Sequence, residues 1–184
     1  MIVLMAGLPG TGKTTLAREL VRRTHGALLG KDEIRAALFA PTASTQNDSA
    51  PSDSTQNDIE YSVSQDDFVL EIMLQAARFL LQKDPARKVF LDGRTFSRSY
   101  QIERVLEFAD ELAQPSSIIE CICSDQSARQ RLELTPDPSH PARNRNFALY
   151  LEVKSRFEPI IRPKMTINTD APNEACIQQA LAFL

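Results

Sequence analysis

Four residues near the start of the chain have the types and the spacing that bind phosphate groups. The pattern G-x-x-x-x-G-K-[ST] is satisfied by Gly7, Gly12, Lys13 and Thr14 in the stretch GLPGTGKTTL. Glycines let the backbone wrap around phosphate oxygens, and the start of the following helix adds positive charge. In such a loop the lysine reaches the β- and γ-phosphates of a nucleotide, and the threonine hydroxyl binds Mg²⁺. The pattern therefore predicts ATP and Mg²⁺ as cofactors, bound by a loop of Gly7, Leu8, Pro9, Gly10, Thr11, Gly12, Lys13, Thr14 and Thr15.

Asp92 is a candidate for the second metal ligand beside Thr14. It ends the apolar run KVFL, which has the composition of a buried strand. In an open α/β sheet, ligands bind outside the carboxyl ends of the strands, so Asp92 is expected to face the same crevice as the loop. A carboxylate there would hold Mg²⁺ directly or through water. The alternative is that Asp92 caps the following turn, in which Gly93 allows the bend.

Asp32 and Arg35 are candidates for the chemistry of transfer. They follow the apolar segment ALLG, and residues three apart on a helix share a face. Phosphoryl transfer to a hydroxyl is helped by a carboxylate that accepts the hydroxyl proton and by a cation that steadies the transferring group. The alternative is that Asp32 caps a helix and Arg35 lies on the surface.

The elements that must position these residues alternate along the chain. Short apolar runs typical of buried strands are MIVLMA, ALLG, KVFLD, SIIECIC and KMTIN. Between them lie segments with helical spacing of apolar residues, namely TTLARELVRR, KDEIRAALF, DDFVLEIMLQAARFLLQ, SYQIERVLEFADELA, DQSARQRLEL, FALYLEVKSRF and NEACIQQALAFL. This alternation predicts a parallel α/β sandwich.

One segment interrupts this alternation. PTASTQNDSA at 41–50 is followed directly by PSDSTQNDIE at 51–60, and both copies contain STQND. The segment has almost no large apolar residue and cannot bury enough surface to order itself. We therefore expect residues 42–58 to form a mobile polar insertion within a single domain of residues 1–184. A recognition loop beside the site is the alternative.

The composition disfavours several classes of protein. The chain has 184 residues, a formal net charge of −3 and no apolar run near the ~20 residues of a membrane span. Its three cysteines form neither a metal-ligand spacing nor an even disulfide set, and its start, MIVLMAG, lacks the basic region of a signal peptide. We therefore expect a cytoplasmic protein with no membrane contact, and nothing in the sequence implies a protein partner. The negative charge argues mildly against a protein that coats long nucleic acid.

Four stretches together resemble a known group of enzymes. GLPGTGKTTLAREL, KDEIRAALF, VFLDGRTFSRSYQIERV and SDQSARQRLE with the later FEPI are similar to the zeta-toxin-like, polynucleotide-kinase-like small P-loop kinases, an AAA-type ATP-binding group near chloramphenicol phosphotransferase. Shikimate- and gluconate-kinase relatives are also similar. The resemblance implies a P-loop NTPase three-layer sandwich with a five-stranded parallel sheet in the order 2-3-1-4-5. It also implies that Asp32 is the general base and that Arg35 binds the acceptor or the transferred phosphate.

The resemblance further implies an arginine-bearing lid between the fourth strand and the last helix. Arg131 matches the lid arginine best and is our candidate catalytic residue there, beside Lys13 in the loop. Further candidates for contact with phosphate are Arg129, Arg143 and Arg145. The stretch Gly93–Arg98 lies where relatives line the acceptor pocket.

The sequence thus predicts a kinase that transfers the γ-phosphate of ATP to a hydroxyl of a small molecule. One alternative is a 5′-hydroxyl polynucleotide kinase, which would need a basic channel for its acceptor. The segment nearest Asp32 is instead acidic, because residues 36–77 contain seven acids and neither Lys nor Arg. The other alternative is a non-catalytic nucleotide-binding module, which would retain the loop but would not need Asp32 and Arg35.

Overall fold

Five consecutive apolar residues form the strand at the centre of the sheet, β1 (Ile2–Ala6). All five are fully buried. Since their side chains point alternately to the two faces, helices must cover the sheet on both sides. The computed structural model describes residues 1–39, 63–134 and 146–184. The predicted insertion at 42–58 and the lid candidates Arg143 and Arg145 lie outside these residues.

The sheet of the described chain has five parallel strands in the order β2-β3-β1-β4-β5. This confirms the predicted fold class and strand order. The other strands are β2 (Ala27–Gly30), β3 (Val89–Asp92), β4 (Ser116–Ile122) and β5 (Met165–Asn168). The register aligns Gly30 with Asp92 and Ala6 with Glu120. The carboxyl ends of the strands therefore meet along one edge, above which the predicted site lies.

The helices divide between the two faces of the sheet. Ile2 and Leu4 pack in a cluster with residues of α3 and α4, whereas Val3 and Met5 pack with residues of α1 and α7. The helices are α1 (Lys13–Thr24), α2 (Lys31–Phe39), α3 (Val63–Lys83), α4 (Ser99–Glu111), α5 (Asp125–Arg129), α6 (Phe147–Ser155) and α7 (Asn173–Phe183). No helix in the described ranges is long and apolar enough to cross a membrane.

The segment predicted as one helix at 125–134 has two parts. Ser124 caps α5, because its Oγ accepts a hydrogen bond from the Ser127 N–H at 3.2 Å. After Arg129 the chain continues as a wider π-helical turn over Gln130–Leu134. This turn brings Leu132 against the phosphate-binding loop, where a Cβ on Gly10 would lie 2.9 Å from Leu132 Cγ. A break in regular helix thus sits at the edge of the candidate site.

Gly93 allows α2 to approach the end of β3. Its φ of 88° lies in the left-handed region, and a Cβ added there would lie 3.0 Å from the backbone nitrogen of Lys31. The next residue of α2 is Asp32, whose backbone nitrogen would lie 3.2 Å from that Cβ. A side chain at position 93 would therefore push against the backbone that carries the candidate base.

We expect Gly93→Ala to lower the free energy of unfolding by about 1–3 kcal/mol, because it combines left-handed backbone strain with contact against main-chain atoms. Chemical denaturation measures the change. Gly30→Ala is the matched control, since Gly30 lacks the positive φ and the three atoms nearest to its added Cβ all belong to the flexible end of the exposed Glu33 side chain. Equal losses in the two variants would contradict this explanation.

Candidate active site

The loop between β1 and α1 has the closed conformation that its glycines permit. Gly7 has a φ of 132°, and a Cβ there would lie 2.2 Å from the carbonyl oxygen of Cys121, so only glycine fits. Lys13 is buried, and its Nζ donates to the carbonyl oxygens of Gly7 and Leu8, at 2.8 Å each. The ammonium group therefore lies over the loop, where it can bind the phosphates of a nucleotide.

The loop is joined to the chain that follows β3. The N–H of Gly7 donates to the carbonyl oxygen of Thr95 at 3.1 Å. Thr95 belongs to the stretch Gly93–Arg98, which corresponds by resemblance to the part of the chain that lines the acceptor pocket in relatives. A direct main-chain bond thus connects the predicted phosphate-donor side to the predicted acceptor side.

Arg131 lies on the other side of the loop, in the π-helical turn. Its guanidinium donates to the carbonyl oxygen of Gly10 at 3.2 Å and to that of Thr169 at 2.8 Å. Thr169 follows β5, and its hydroxyl donates to the carbonyl oxygen of Thr11 at 2.9 Å. Arg131 therefore holds together the loop and the end of β5. Arg129 lies further out, paired with Glu133 at 3.1 Å.

Asp92 and Thr14 have the chemistry of a magnesium site. Asp92 is 2% exposed at the end of β3, and its Oδ1 has no hydrogen-bond partner among the described residues. A buried carboxylate oxygen is unfavourable unless something binds it. No group of three or more His, Cys, Asp or Glu able to hold a metal occurs in the described ranges. This donor set suits Mg²⁺, which takes one or two protein ligands and completes its shell with waters and phosphates.

A cavity of about 830 Å³ opens beside Lys13 and Thr14. The cavity is bounded by the phosphate-binding loop, the starts of α2, α3 and α4, the stretch Gly93–Arg98, and α6 with the segment after it. Its polar lining comprises Lys13, Thr14, Lys31, Asp32, Asp66, Arg94, Thr95, Ser97, Arg98, Tyr100, Gln101, Glu152, Arg156 and Glu158. The structure thus brings the loop, Asp32 and the predicted acceptor stretch to one space.

Asp32 and Arg35 have different surroundings although they share a helix. Asp32 lines the cavity, and its Oδ1 lies 3.5 Å from the ammonium nitrogen of Lys31. Arg35 is 3% exposed and does not line the cavity. It donates instead to Asp66 at 2.8 Å and to Gln65 at 2.6 Å, both in the first turn of α3. The proposed role of Arg35 at a phosphate remains a prediction.

The sequence motifs do not point to Asp66 or Asp67, whereas Arg94 lies in the predicted stretch Gly93–Arg98. Asp66 accepts hydrogen bonds from Lys31 at 3.1 Å and from Arg35. Arg94, at 4% exposure, donates to the backbone carbonyl of Asp66 at 2.7 Å and to the Asp67 carboxylate at 2.5 Å. Asp66 lies in the acidic segment 36–77, from which the sequence predicts a small acceptor. The sequence does not show that Asp66 pairs with Lys31 and Arg35, because those contacts depend on the tertiary structure.

Glu158, in the FEPI stretch, fixes the acceptor side of the cavity. Its carboxylate accepts from the N–H of Ser99 at 2.7 Å and from Arg98 at 3.0 Å, and so caps the start of α4. These hydrogen bonds, first that from Ser99, lower the pKa of Glu158 to about 2. The segment after α6 is thereby attached to the loop that contains Phe96, a fully buried residue with a strained φ of 52°.

The lowered pKa of Glu158 gives a prediction for acid unfolding. A carboxylate whose pKa is lower in the folded state stabilises the fold above its unfolded value of 4.5, and the contribution is lost as the pH falls toward 2. Between pH 5 and 2, the Glu158→Gln variant should therefore bind about one proton fewer on unfolding than the unsubstituted protein does. The unfolding free energy of this variant should therefore depend less steeply on pH, as denaturation at a series of pH values would show. Glu107→Gln, on the exposed face of α4, is the control, and an equal slope in Glu158→Gln and the unsubstituted protein would contradict the assignment.

Comparison with known proteins identifies a family and several similar folds. The AAA_33 family, an AAA domain, matches residues 2–173. No curated protein matches the chain. A candidate kinase from Chloroflexus aurantiacus has a solved structure that is 20% identical, with a TM-score of 0.69 over 100% of this chain and 97% of that one.

Two further solved structures contain nucleotide analogues. The APS kinase of Mycobacterium tuberculosis, in complex with AMPPNP and APS, is 15% identical, with a TM-score of 0.67 over 98% of this chain and 95% of that one. Kti12 of Chaetomium thermophilum, in complex with ADP-AlF3, is 16% identical, with a TM-score of 0.63 over 100% and 96%. At such identities the likeness establishes the fold. Together with the family match over most of its length, it shows that the chain belongs to the AAA_33 family, a P-loop kinase family.

Proposed function

We propose that the protein is an ATP-dependent kinase that transfers the γ-phosphate to a hydroxyl group of a small molecule. The observation that carries the proposal is that Lys13, Thr14 and Asp32 line one cavity. A phosphate-binding ammonium and a carboxylate able to accept a proton thus border the same space. A module that only binds nucleotide would have no use for Asp32 at that place.

In the proposed reaction an acceptor hydroxyl lies between Asp32 and the γ-phosphate. Its oxygen forms a new bond to the γ-phosphorus, while the bond from that phosphorus to the oxygen bridging to the β-phosphate breaks. The hydroxyl proton passes to the Asp32 carboxylate, and ADP leaves with the bridging oxygen. Most of the acceleration comes from holding the groups in line and from stabilising the charge that moves to the phosphate oxygens.

The residues around the phosphates have distinct proposed roles. The Lys13 ammonium and the loop N–H groups bind the β- and γ-phosphates, and Arg131 keeps Gly10 in place through its carbonyl oxygen. Asp92 and Thr14 would hold Mg²⁺, which neutralises charge on the phosphates when bound. Arg35 acts through α3, whose first turn it holds beside the Asp32 side of the cavity.

The charge of the cavity lining supports a small acceptor over a polynucleotide end. Polynucleotide channels neutralise backbone phosphates with unpaired Lys and Arg. Among the described lining residues, four carboxylates stand beside the cations: Asp32, Asp66, Glu152 and Glu158. The APS kinase structure, which holds a nucleotide analogue together with APS, gives an example of this fold with two small ligands.

Transfer of label from γ-labelled ATP tests the proposal. The protein is incubated with ATP, Mg²⁺ and a panel of hydroxyl-bearing metabolites and 5′-hydroxyl oligonucleotides, and label on each acceptor is compared with label released as inorganic phosphate. We expect label on a small molecule above the level of hydrolysis. Label on oligonucleotides alone would favour the polynucleotide kinase, and label on no acceptor would contradict kinase activity.

A further inference from the structure

Three buried cations are paired with acidic residues of α3: Lys31 and Arg94 line the cavity, and Arg35 is bonded to the lining residue Asp66. The side chains of Lys31, Arg35 and Arg94 are 9%, 3% and 4% exposed. Asp66 bonds to the first two through its carboxylate and to Arg94 through its backbone carbonyl. Asp67 bonds to Arg94 through its carboxylate. The first turn of α3 thus neutralises the positive charge that an anionic acceptor would otherwise use.

The cations at the rim of the cavity are paired as well. Arg98 lies 3.0 Å from Glu158, and Arg156 lies 3.1 Å from Glu152. Exposed pairs of this kind are weak individually. The first pair is reinforced because Glu158 also caps α4 through Ser99. An anion that binds Arg98 or Arg156 would therefore have to displace the carboxylate paired with that arginine. An anion that binds Lys31 or Arg94 would have to displace a carboxylate of α3 in the same way.

We propose that the phosphate acceptor is an uncharged, hydroxyl-rich molecule, and that Asp66 and Asp67 exclude acidic acceptors by neutralising Lys31, Arg35 and Arg94. The inference rests on the proposed kinase function and specifies its substrate class. Displacing the partly exposed Asp66 carboxylate from two buried, hydrogen-bonded cations separates two ion pairs, which is unfavourable. A neutral hydroxyl exchanges hydrogen bonds with these groups without separating any ion pair.

The uncharged polar groups of the lining suit such a molecule. Ser97, Tyr100 and Gln101 border the cavity beside the charged pairs. Gln101 is 7% exposed, and its Oε1 has no hydrogen-bond partner among the described residues. A buried acceptor of this kind is expected to find a donor, and a hydroxyl of a bound polyol can supply one. Val63, Leu149 and Val153 add apolar surface for the carbon face of a sugar-like molecule.

Matched acceptors that differ in charge test the inference in the unsubstituted protein. We would compare glucose with gluconate and glucosamine, and glycerol with glycerate and serinol, by label transfer from γ-labelled ATP. We expect kcat/KM for a neutral member to exceed that for its acidic counterpart by about 10-fold or more. Preference for an acidic or amino member overturns the inference but leaves the kinase proposal intact. Label on no acceptor, neutral or charged, contradicts the kinase proposal and the inference together.

The variant Asp66→Asn tests the role assigned to α3. It keeps the side-chain shape but releases positive charge at Lys31 and Arg35, so the ratio of kcat/KM for neutral over acidic acceptors should fall about 10-fold, with the KM for ATP unchanged. Asp110→Asn, on the exposed face of α4, is the control. If Asp66→Asn does not fold, Asp67→Asn gives the second test, because the half-exposed Asp67 carboxylate faces Arg94. An unchanged ratio in a folded variant overturns the inference.

Discussion

Replacing Asp32 with asparagine is expected to slow phosphoryl transfer by roughly 10²- to 10⁴-fold, the usual contribution of a positioned base. The change retains the shape of the side chain and its capacity to hydrogen-bond, but removes its ability to take a proton. Asp32 lines the cavity from α2, whereas the phosphate-binding loop lies between β1 and α1. The affinity for ATP should therefore remain nearly unchanged. Single-turnover transfer to an acceptor found in the labelling panel, with ATP binding measured in parallel, checks both expectations.

The neighbouring carboxylate provides the control for this substitution. Glu33 is half exposed on the same helix, so Glu33→Gln removes one negative charge close by without altering the cavity. Near-normal transfer by a folded Asp32→Asn variant would exclude Asp32 as the base, and Asp92 would be the next candidate. Loss of ATP binding would instead place Asp32 on the nucleotide side of the site.

The second large effect is expected for Lys13→Ala. The ammonium group of Lys13 holds the carbonyl oxygens of Gly7 and Leu8 and supplies the charge for the phosphates. Its removal should weaken ATP binding by at least about 10-fold, since a hydrogen bond to a charged group contributes about 1.5–3 kcal/mol. Turnover should fall further, because negative charge on the transferring group is then less stabilised.

Titration with a fluorescent ATP analogue and measurement of the turnover number check the Lys13 variant. Lys83→Ala, at the exposed end of α3, is the control for removal of a lysine. Circular dichroism establishes that the variant is folded. Unchanged affinity together with unchanged turnover in a folded Lys13→Ala protein would rule out the assignment of the loop.

The local features of the fold could be predicted from the sequence because they depend on neighbouring residues. The buried run MIVLMA requires a strand with both faces covered, and the glycines at 7, 10 and 12 adopt the positive φ values that the loop needs. The helix over KDEIRAALF has the predicted bounds, Lys31–Phe39. Only the resemblance to P-loop kinases supplied the strand order, since spacing alone does not say which strands pair.

The contacts of the candidate site were harder to predict because they join residues far apart in the chain. Arg35 and Asp66 are 31 residues apart, and Arg98 and Glu158 are 60 apart. The Asp-x-x-Arg spacing correctly predicts that Asp32 and Arg35 share a helix, but it does not show that α3 packs against Arg35. The described part of α3 includes residues 63–65 ahead of the predicted apolar segment, and Gln65 and Asp66 accept hydrogen bonds from Arg35.

The bond from the Gly7 N–H to the Thr95 carbonyl oxygen uses only main-chain atoms. A substitution at Thr95, Ser97 or Arg98 can therefore alter what the cavity recognises while this bond continues to hold the stretch against the phosphate-binding loop. On the proposed function, the side chains that would contact an acceptor are thereby separable from the loop that would bind the phosphates. New side chains on this stretch would then change the acceptor while the main-chain bond between Gly7 and Thr95 is kept.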